Sequence, residues 1–353
     1  MSAFANRRSA LLAGVAFVFL LTGPILLVSA QPPAIVSLTS PNPQPNGEFG
    51  YSVAISGNLA VVGAPEESVG RYTQAGSAYV FNAQTGALVA QLVDPDSQYY
   101  GEFGYYVTII GSEVVVGGDG NAYTFNARTG ALIAVHQSPN SQDSEEAGYS
   151  VAQSGDVVVV GAPFANVSGD AYAGTANISN AATGALIATL QSPNLQYFGD
   201  FGESVAVSGR LVVVSAPGEA IGGNSSAGRA YVFNAQNGTL VATLASTNPQ
   251  GDGNFGLSVA ISGGVAIVGA AGEAVNGEEY AGRAYIFNVA PTTAGSSTLT
   301  EEGAGSIPTS WLTAGAVVVV VAVAAGGVLL SARRRRPRLS TPTHVSTARS
   351  ENR

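Results

Sequence analysis

Short apolar runs separated by glycine-centred turns recur along most of this chain, and in each cycle the runs come in fours. In the first cycle they are Tyr51 to Ser56, Leu59 to Ala64, Ala78 to Asn82 and Ala87 to Leu92. The second run is nearly continuous in Val, Ile and Ala, and it returns as Val157 to Val160, Leu211 to Val214 and Val265 to Val268. A continuous apolar run of this length predicts a strand covered on both faces, as in a sheet held between two neighbouring sheets. Ser56-Gly57-Asn58 and its copies Ser154-Gly155-Asp156, Ser208-Gly209-Arg210 and Ser262-Gly263-Gly264 predict tight hairpins between first and second strands, with glycine taking a positive φ. Asn82 to Gly86 and its copies predict the same between third and fourth strands.

The cycle is marked by Phe49-Gly50, which returns as Phe103-Gly104, Phe201-Gly202 and Phe255-Gly256, with Ala147-Gly148 as a weakened copy. The five starts are 54, 44, 54 and 54 residues apart, a period at which one repeat is one sheet of a β-propeller or solenoid. Two connections per repeat are minimal and two are long, Pro65 to Ser77 and Val93 to Glu102 in the first copy. Connections in an up-and-down sheet alternate ends, so both long loops are expected on one face. The last repeat stops after its third strand, Ala284 to Asn288, and runs into Pro291. Ala34 to Leu38, followed by Ser40-Pro41-Asn42 as Ala185 to Leu190 is followed by Ser192-Pro193-Asn194, is expected to supply the missing fourth strand and close the ring. The predicted fold is therefore all-β: a five-bladed β-propeller of four-stranded blades closed by an N-terminal strand, spanning residues 31–290.

The flanks read differently. Residues 1–30 carry Arg7-Arg8, an apolar run from Ala10 to Leu21 and Val28-Ser29-Ala30 before Gln31, the pattern of a secretory signal peptide. Residues 291–310, rich in Thr, Ser and Gly, are expected to form a flexible stalk. Leu312 to Ala332 holds 21 residues without a charge, about 31 Å as a helix, and Arg333 to Arg336 and Arg338 follow. This predicts a transmembrane helix over 311–332 with the 333–353 tail on the cytoplasmic side. The expected placement is a single-pass cell-membrane protein with its repeats outside.

Composition narrows the chemistry. Glycine is abundant at 45 residues and only 10% of the chain is charged, which suits short strands and turns. Cysteine is absent, which excludes disulfides, thiolate nucleophiles and Cys-bound metals. Between Gln31 and Ser310 there are 22 Asp and Glu against five Arg, a balance that repels nucleic acid. His136 is the only histidine outside the tail, so no nucleophilic triad is expected.

With Phe49-Gly50 and Gly63-Ala64-Pro65 in one repeat, the chain resembles the FG-GAP repeats of the integrin α-chain propeller and of many microbial surface proteins. The second element recurs as Gly161-Ala162-Pro163, drifts to Ser215-Ala216-Pro217 and Gly269-Ala270-Ala271, and is lost at Gly117-Gly118-Asp119. The resemblance covers about Ala34 to Val289. It implies a propeller, extracellular placement and ligand binding on the long-loop face. Two departures stand out. The family's Asp-rich calcium loop between first and second strands is replaced here by three-residue turns, so no metal and no cofactor is expected. Integrin propellers also have seven blades, and five are offered here.

Candidate residues follow from the loops. An acidic residue precedes the Phe-Gly position at Glu48, Glu102, Glu146 and Asp200, with Asn254 in the fifth copy. Repetition in nearly every blade points to a turn residue that accepts backbone N–H groups. The blade-to-blade loops break the symmetry with Asp94, Asp96, Tyr99 and Tyr100 before the second repeat and Tyr197 and Phe198 before the fourth, side chains suited to protein or glycan contact. Tyr79, Tyr123, Tyr231 and Tyr285 are expected in the core between blades. Asn166, Asn177, Asn224 and Asn237 begin Asn-X-Ser/Thr sequons; Asn166, Asn224 and Asn237 are the candidate glycosylation sites, and Asn177, in the place of a core tyrosine, fits least. No catalytic residue is assigned. The function expected is a binding or adhesion module that engages an extracellular protein or glycan; the alternative is a propeller enzyme acting on glycans through two carboxylates.

Overall fold

The structure is a computed structural model that describes residues 36–118, 120–139 and 147–289. The signal, stalk, membrane and tail segments lie outside the described residues. Among the described residues nineteen strands form five antiparallel sheets in chain order. Blade one is β1 (Val53–Ser56), β2 (Leu59–Ala64), β3 (Ser77–Asn82) and β4 (Leu88–Leu92). Blade two is β5 (Tyr106–Ile110), β6 (Glu113–Gly117), β7 (Asn121–Asn126) and β8 (Leu132–Gln137). Blade three is β9 (Ser150–Ser154), β10 (Val157–Ala162), β11 (Thr175–Asn180) and β12 (Leu186–Leu190). Blade four is β13 (Val205–Ser208), β14 (Leu211–Ala216), β15 (Arg229–Asn234) and β16 (Leu240–Leu244). Blade five has three strands, β17 (Phe255–Ser262), β18 (Val265–Ala270) and β19 (Arg283–Asn288). This propeller-like arrangement agrees with the period of the sequence. In blade one the first strand begins two residues later than the apolar pattern suggests, because Gly50 to Ser52 bend while Gly50 and Ser52 both still bond to Gly63.

Each pair of neighbouring blades shares its own core. Leu59, Val61 and Val80 of blade one pack against Val107, Val114, Val116 and Tyr123 of blade two, and the same positions repeat between blades three and four and between four and five. The continuous apolar second strands are buried along their length in blades two to four because both of their faces meet another sheet.

The Phe-Gly and Gly-Ala-Pro elements explain each other. The glycine that ends the second strand lies directly under the Phe-Gly turn of the next blade: a Cβ on Gly63 would stand 2.0 Å from the Gly104 carbonyl oxygen, and one on Gly161 2.1 Å from that of Gly202. No side chain fits there. The phenylalanine just before that turn is fully buried in blades two, four and five and packs edge-on against a third-strand phenylalanine, as in the Phe103–Phe125 pair at 5.9 Å. Its backbone N–H donates to the loop of the preceding blade, Phe103 to Ala75, Phe201 to Ala173 and Phe255 to Ala227. Where Ser215 replaces the glycine, a Cβ on Gly256 above it would stand 2.9 Å from the Ser215 Cβ, and β17 carries a register shift between Phe255 and Ser258.

A second set of ties joins the first strands. Ser52, Ser204 and Ser208 accept through Oγ from the backbone N–H groups of Val107, Val259 and Gly263, each 55 residues further on. His136, buried on β8, bridges Thr124 of its own blade through Nε2 and Ser179 of blade three through Nδ1, both at 2.7 Å.

The two ends of the series differ from the middle. Val53 and Ile55 in blade one are 45% and 61% exposed, while their counterparts Val107 and Ile109 are buried. Val265, Ile267 and Ile286 in blade five are likewise exposed, although their counterparts Leu59, Val61 and Val80 are buried. The N-terminal segment packs on blade one: Val36 and Leu38 stand beside Gly86 as Ala188 and Leu190 of blade three stand beside Gly238 of blade four. Val36 to Leu38 therefore occupies the place of a preceding blade's fourth strand, without strand pairing in the described structure.

Two outcomes test this packing. Gly161→Ala should lower stability by about 2–3 kcal/mol, the cost of overpacking against fixed backbone. Gly57→Ala, at a turn with open space around it, should cost only about 1 kcal/mol, through its positive φ. Equal losses in thermal or denaturant melts would show that the close approach does not matter. The second outcome concerns His136, whose pKa burial lowers from its ordinary 6.5 to about 4. The unfolded chain takes up a proton below about pH 6.5 that the folded chain refuses, so this group removes stability progressively between pH 6.5 and 4, by roughly 3 kcal/mol in all. Asp200, raised by burial to about 7, acts with the opposite sign over the same range, since its carboxyl stays protonated in the fold. The test is therefore the difference between parent and His136→Gln melts, which should shrink as pH falls from 7 to 4; a constant difference would contradict the assignment.

Candidate functional site

Both classes of long loop emerge at one end of the sheets, as their hydrogen bonds require: Tyr100, Glu102 and Phe103 donate to Thr73, Gln74 and Ala75 of the preceding blade's long loop. Phe198, Asp200 and Phe201 repeat this with Ala171, Tyr172 and Ala173. The acidic residues before Phe-Gly are turn residues, held at positive φ in Glu48, Glu102, Asp200 and Asn254. Their backbone carbonyls accept the turn hydrogen bond, as from Tyr51 to Glu48 and from Glu203 to Asp200, so the turn needs their conformation rather than their side-chain oxygens. Glu146 lies outside the described residues.

Behind this face the structure places buried carboxylates that sequence reasoning did not single out. Glu67, Glu219 and Glu273 are fully buried at one offset after the Gly-Ala-Pro position. The Tyr79 hydroxyl donates to Glu67, Tyr231 to Glu219 at 2.7 Å and Tyr285 to Glu273. Ser40 and Ser192, from the preceding loop, donate to the other oxygen of Glu67 and Glu219. Arg229 pairs with Glu219 at 3.0 Å. Burial and the carboxylate push the Tyr79 hydroxyl up to about 12. The repeated Glu in Glu67, Glu219 and Glu273 was the available signal.

The same frame explains Asp94. Blade two has no such Glu, and Asp94, standing where other repeats have Ser40, Ser192 and Ser246, supplies the carboxylate that the Tyr123 hydroxyl needs. Asp94 is buried, accepts the Asp96 N–H at 2.9 Å and is raised in pKa chiefly by desolvation. Blade three lacks both partners, with Ala165 for the Glu and Asn177 for the Tyr; Asn177 is buried and accepts from Thr189. Tyr123 and Tyr231 lie in inter-blade cores as expected, Tyr79 is buried in a cluster of blade one with Leu38 and Phe49, and Tyr285 is partly covered.

The symmetry-breaking aromatics fall into two patches. Tyr99, 55% exposed, meets Tyr72 edge-on at 5.3 Å, and Arg71 stands over the Tyr72 ring. Tyr100 and Asp96 are exposed in the same loop. Tyr197 and Phe198 touch at 4.2 Å and belong to a longer run of rings. Phe198 stacks on Tyr172 at 5.0 Å, and Tyr172 meets Phe164, which in turn meets Tyr149. Tyr149 joins Tyr105 and Tyr106, and Tyr105 reaches Tyr51 at 4.6 Å. Eight rings thus run without a gap from blade one to the loop before blade four. Sequence reading missed six of them, although Tyr51, Tyr105 and Tyr149 all directly follow the Gly of the Phe-Gly position. At that position in blade four stands Glu203, which accepts the Tyr149 hydroxyl at 3.1 Å.

Asn166 and Asn224 are exposed in long loops, where Asn166 accepts the Tyr172 N–H and Asn224 donates to Pro249. Asn237 is exposed in a short turn at the other end. Among the described residues no three His, Cys, Asp or Glu side chains gather as a metal site, and no helix is long and apolar enough to cross a membrane.

Comparison with known proteins adds the family. The FG-GAP repeat model matches residues 34–81, 197–233 and 239–287. The chain carries FG-GAP repeats in these three segments. Its matched repeats include blades one, four and five, while the Gly118-Asp119 and Ala147-Gly148 copies that depart furthest from the motif lie outside the matched segments. Among solved structures, the chain is similar to the computationally designed Ika4 protein, at 20% identity and a TM-score of 0.39, over 58% of this chain and 99% of that one. No curated protein matches it.

Proposed function

We propose that this protein is a membrane-anchored extracellular binding or adhesion module that engages a protein or glycan through its long-loop face. The observation that carries the reading is the concentration of exposed and half-exposed rings at one end, where both long loops emerge, against minimal hairpins at the other. A binding face needs variable loops with aromatic anchors, and that is what this end offers. Export and anchoring rest on the sequence pattern of residues 1–30 and of Leu312 to Ala332 with its arginine cluster. The same reading includes closure, in which the segment ending at Leu38 pairs with β19. Closure would cover the exposed Ile286, Ile267 and Val265 together with Val53 and Ile55, and Val36 to Leu38 already stands in the required place beside blade one.

Non-enzymatic binding is part of the proposal. The second reading, a carboxylate enzyme acting on glycans, is favoured by one observation: burial raises Asp200 to about 7, the protonation behaviour of a general acid, with Glu203 three residues on.

Adhesion decides the matter. Beads coated with the full chain should adhere to cells of a mixed panel, and Ala replacements at Tyr99, Tyr100, Tyr197 and Phe198 together should weaken adhesion about tenfold or more with the melting temperature unchanged, because these rings are exposed. Adhesion unaffected by the four replacements would overturn the loop-face reading.

A further inference from the structure

The end of the sheets opposite the long loops is apolar at its rim. Leu88, Leu132, Leu186 and Leu240, the first residues of the fourth strands in blades one to four, are between 43% and 49% exposed. Ile133, Ile187 and Val241 beside them are exposed as well. One backbone feature is common to all four blades. Each fourth strand carries a bulge beside its hairpin, so that Leu88 pairs with Phe81 while Ala90 pairs with Val80, and the same shift recurs at Phe125, Ser179 and Phe233. A bulge sets two residues against one and re-aims their side chains. We propose that this end rests on the bilayer in which the chain is anchored, with the aliphatic rim in contact with lipid and the long-loop face turned outward. The proposal rests on the membrane-anchored reading above.

Three observations select lipid as the occupant. The first is where the chain leaves the fold. In each complete blade the turn after the third strand donates to the turn after the first, as from Ala83 to Asn58 and from Ala181 to Asp156, and in blade five Val289 donates to Gly264 in the same way. The last described residue therefore stands level with the hairpins, at the apolar end. From there the expected stalk of residues 291–310 leads to the apolar stretch that begins at Leu312. A flexible stalk of about twenty residues spans roughly 25 Å, so the end that carries it stays close to the membrane surface, where weak contacts act at high effective concentration.

The second observation is charge. Among the described residues this end carries Glu113, Asp156, Arg128 and Arg210, which cancel, whereas the other carboxylates, from Glu48 to Glu279, belong to the long-loop end together with Arg71, Arg229 and Arg283. Lipid phosphates repel the acidic end and leave the neutral one free to approach. The third observation is level repetition. Hairpins of neighbouring blades are tied to one another, Gly111 donating to Ser56, Gly209 to Ser154 and Gly263 to Ser208. A plane of lipid meets the same position of every blade, which is how the aliphatic residues are distributed. The proposal requires Asn237, the candidate glycosylation residue at this end, to carry no glycan.

The test uses the full chain in phosphatidylcholine vesicles. Because the sequence has no cysteine, Leu132→Cys, Leu186→Cys, Leu240→Cys and, on a long loop, Glu279→Cys each accept a single nitroxide label. Labels at the three rim positions should collide more often with membrane-dissolved oxygen than with a water-soluble nickel chelate, and the Glu279 label should do the reverse. Leu132→Glu combined with Leu240→Glu, both at exposed positions, should return the Leu186 label to water with the melting temperature unchanged. Rim labels as aqueous as the one at Glu279, or a Leu186 label that stays in lipid in the double variant, would overturn the proposal. Aqueous rim labels whose spectra broaden as protein density rises would assign this end to a second copy instead. The two readings fail separately: a chain that does not float with vesicles loses its anchor and the proposal together, whereas a floating chain with aqueous rim labels loses only the contact.

Discussion

The structure depends on a close approach of backbone to backbone between consecutive blades. The glycine that closes one second strand leaves no room for a Cβ beneath the next Phe-Gly turn, with Gly63 under Gly104, Gly117 under Gly148 and Gly161 under Gly202. Because the chains come this near, the phenylalanine N–H reaches the preceding loop's carbonyl, its ring is fully enclosed, and the first strands align so that serines tie them in register. The two halves of the FG-GAP motif are thus opposite sides of one contact. Each repeat buries its aromatic faces only with a neighbour present, the general condition of repeat proteins.

This contact also sets the loops at a fixed angle and spacing, and function follows from that placement. The Tyr-rich positions after each Phe-Gly turn come side by side because the turns themselves are stacked blade on blade, and Tyr51, Tyr105 and Tyr149 lie in one row for that reason. The buried Glu67 and Glu219 hold the loop above by its serine and the third strand below by its tyrosine, whereas Glu273 holds Tyr285 and Ser246 bonds that tyrosine hydroxyl instead. What each buried carboxylate shares is a tyrosine hydroxyl as partner, so Asp94 appears where the Glu is missing and neither appears where Tyr gives way to Asn177.

Much of this was legible in the sequence. The period, the doubly covered second strands and the tyrosine core were written in residue type and spacing, and Leu59 to Ala64 is reproduced to the residue. The loop face was legible too, because alternation of short and long connections fixes which end each loop leaves from. The partners of individual loop side chains were not. Asp94 reads as an exposed acid in its polar loop, yet it turns inward, since the need for a carboxylate arises from Tyr123 nearly thirty residues away. Tyr51, Tyr105 and Tyr149 read as ordinary strand residues, since their row exists only through the packing between blades.

Native-state hydrogen exchange tests the central contact most directly. The amides of Phe103 and Phe201 precede their first strands and that of Phe255 opens β17, but each donates across a blade boundary. They should exchange as slowly as the second-strand amides of Val115, Val159 and Val213, since releasing them requires separating the blades. Exchange at the rate of the exposed turn amide at Gly57 would show that the Phe-Gly turns open independently and that the blades are held by something else.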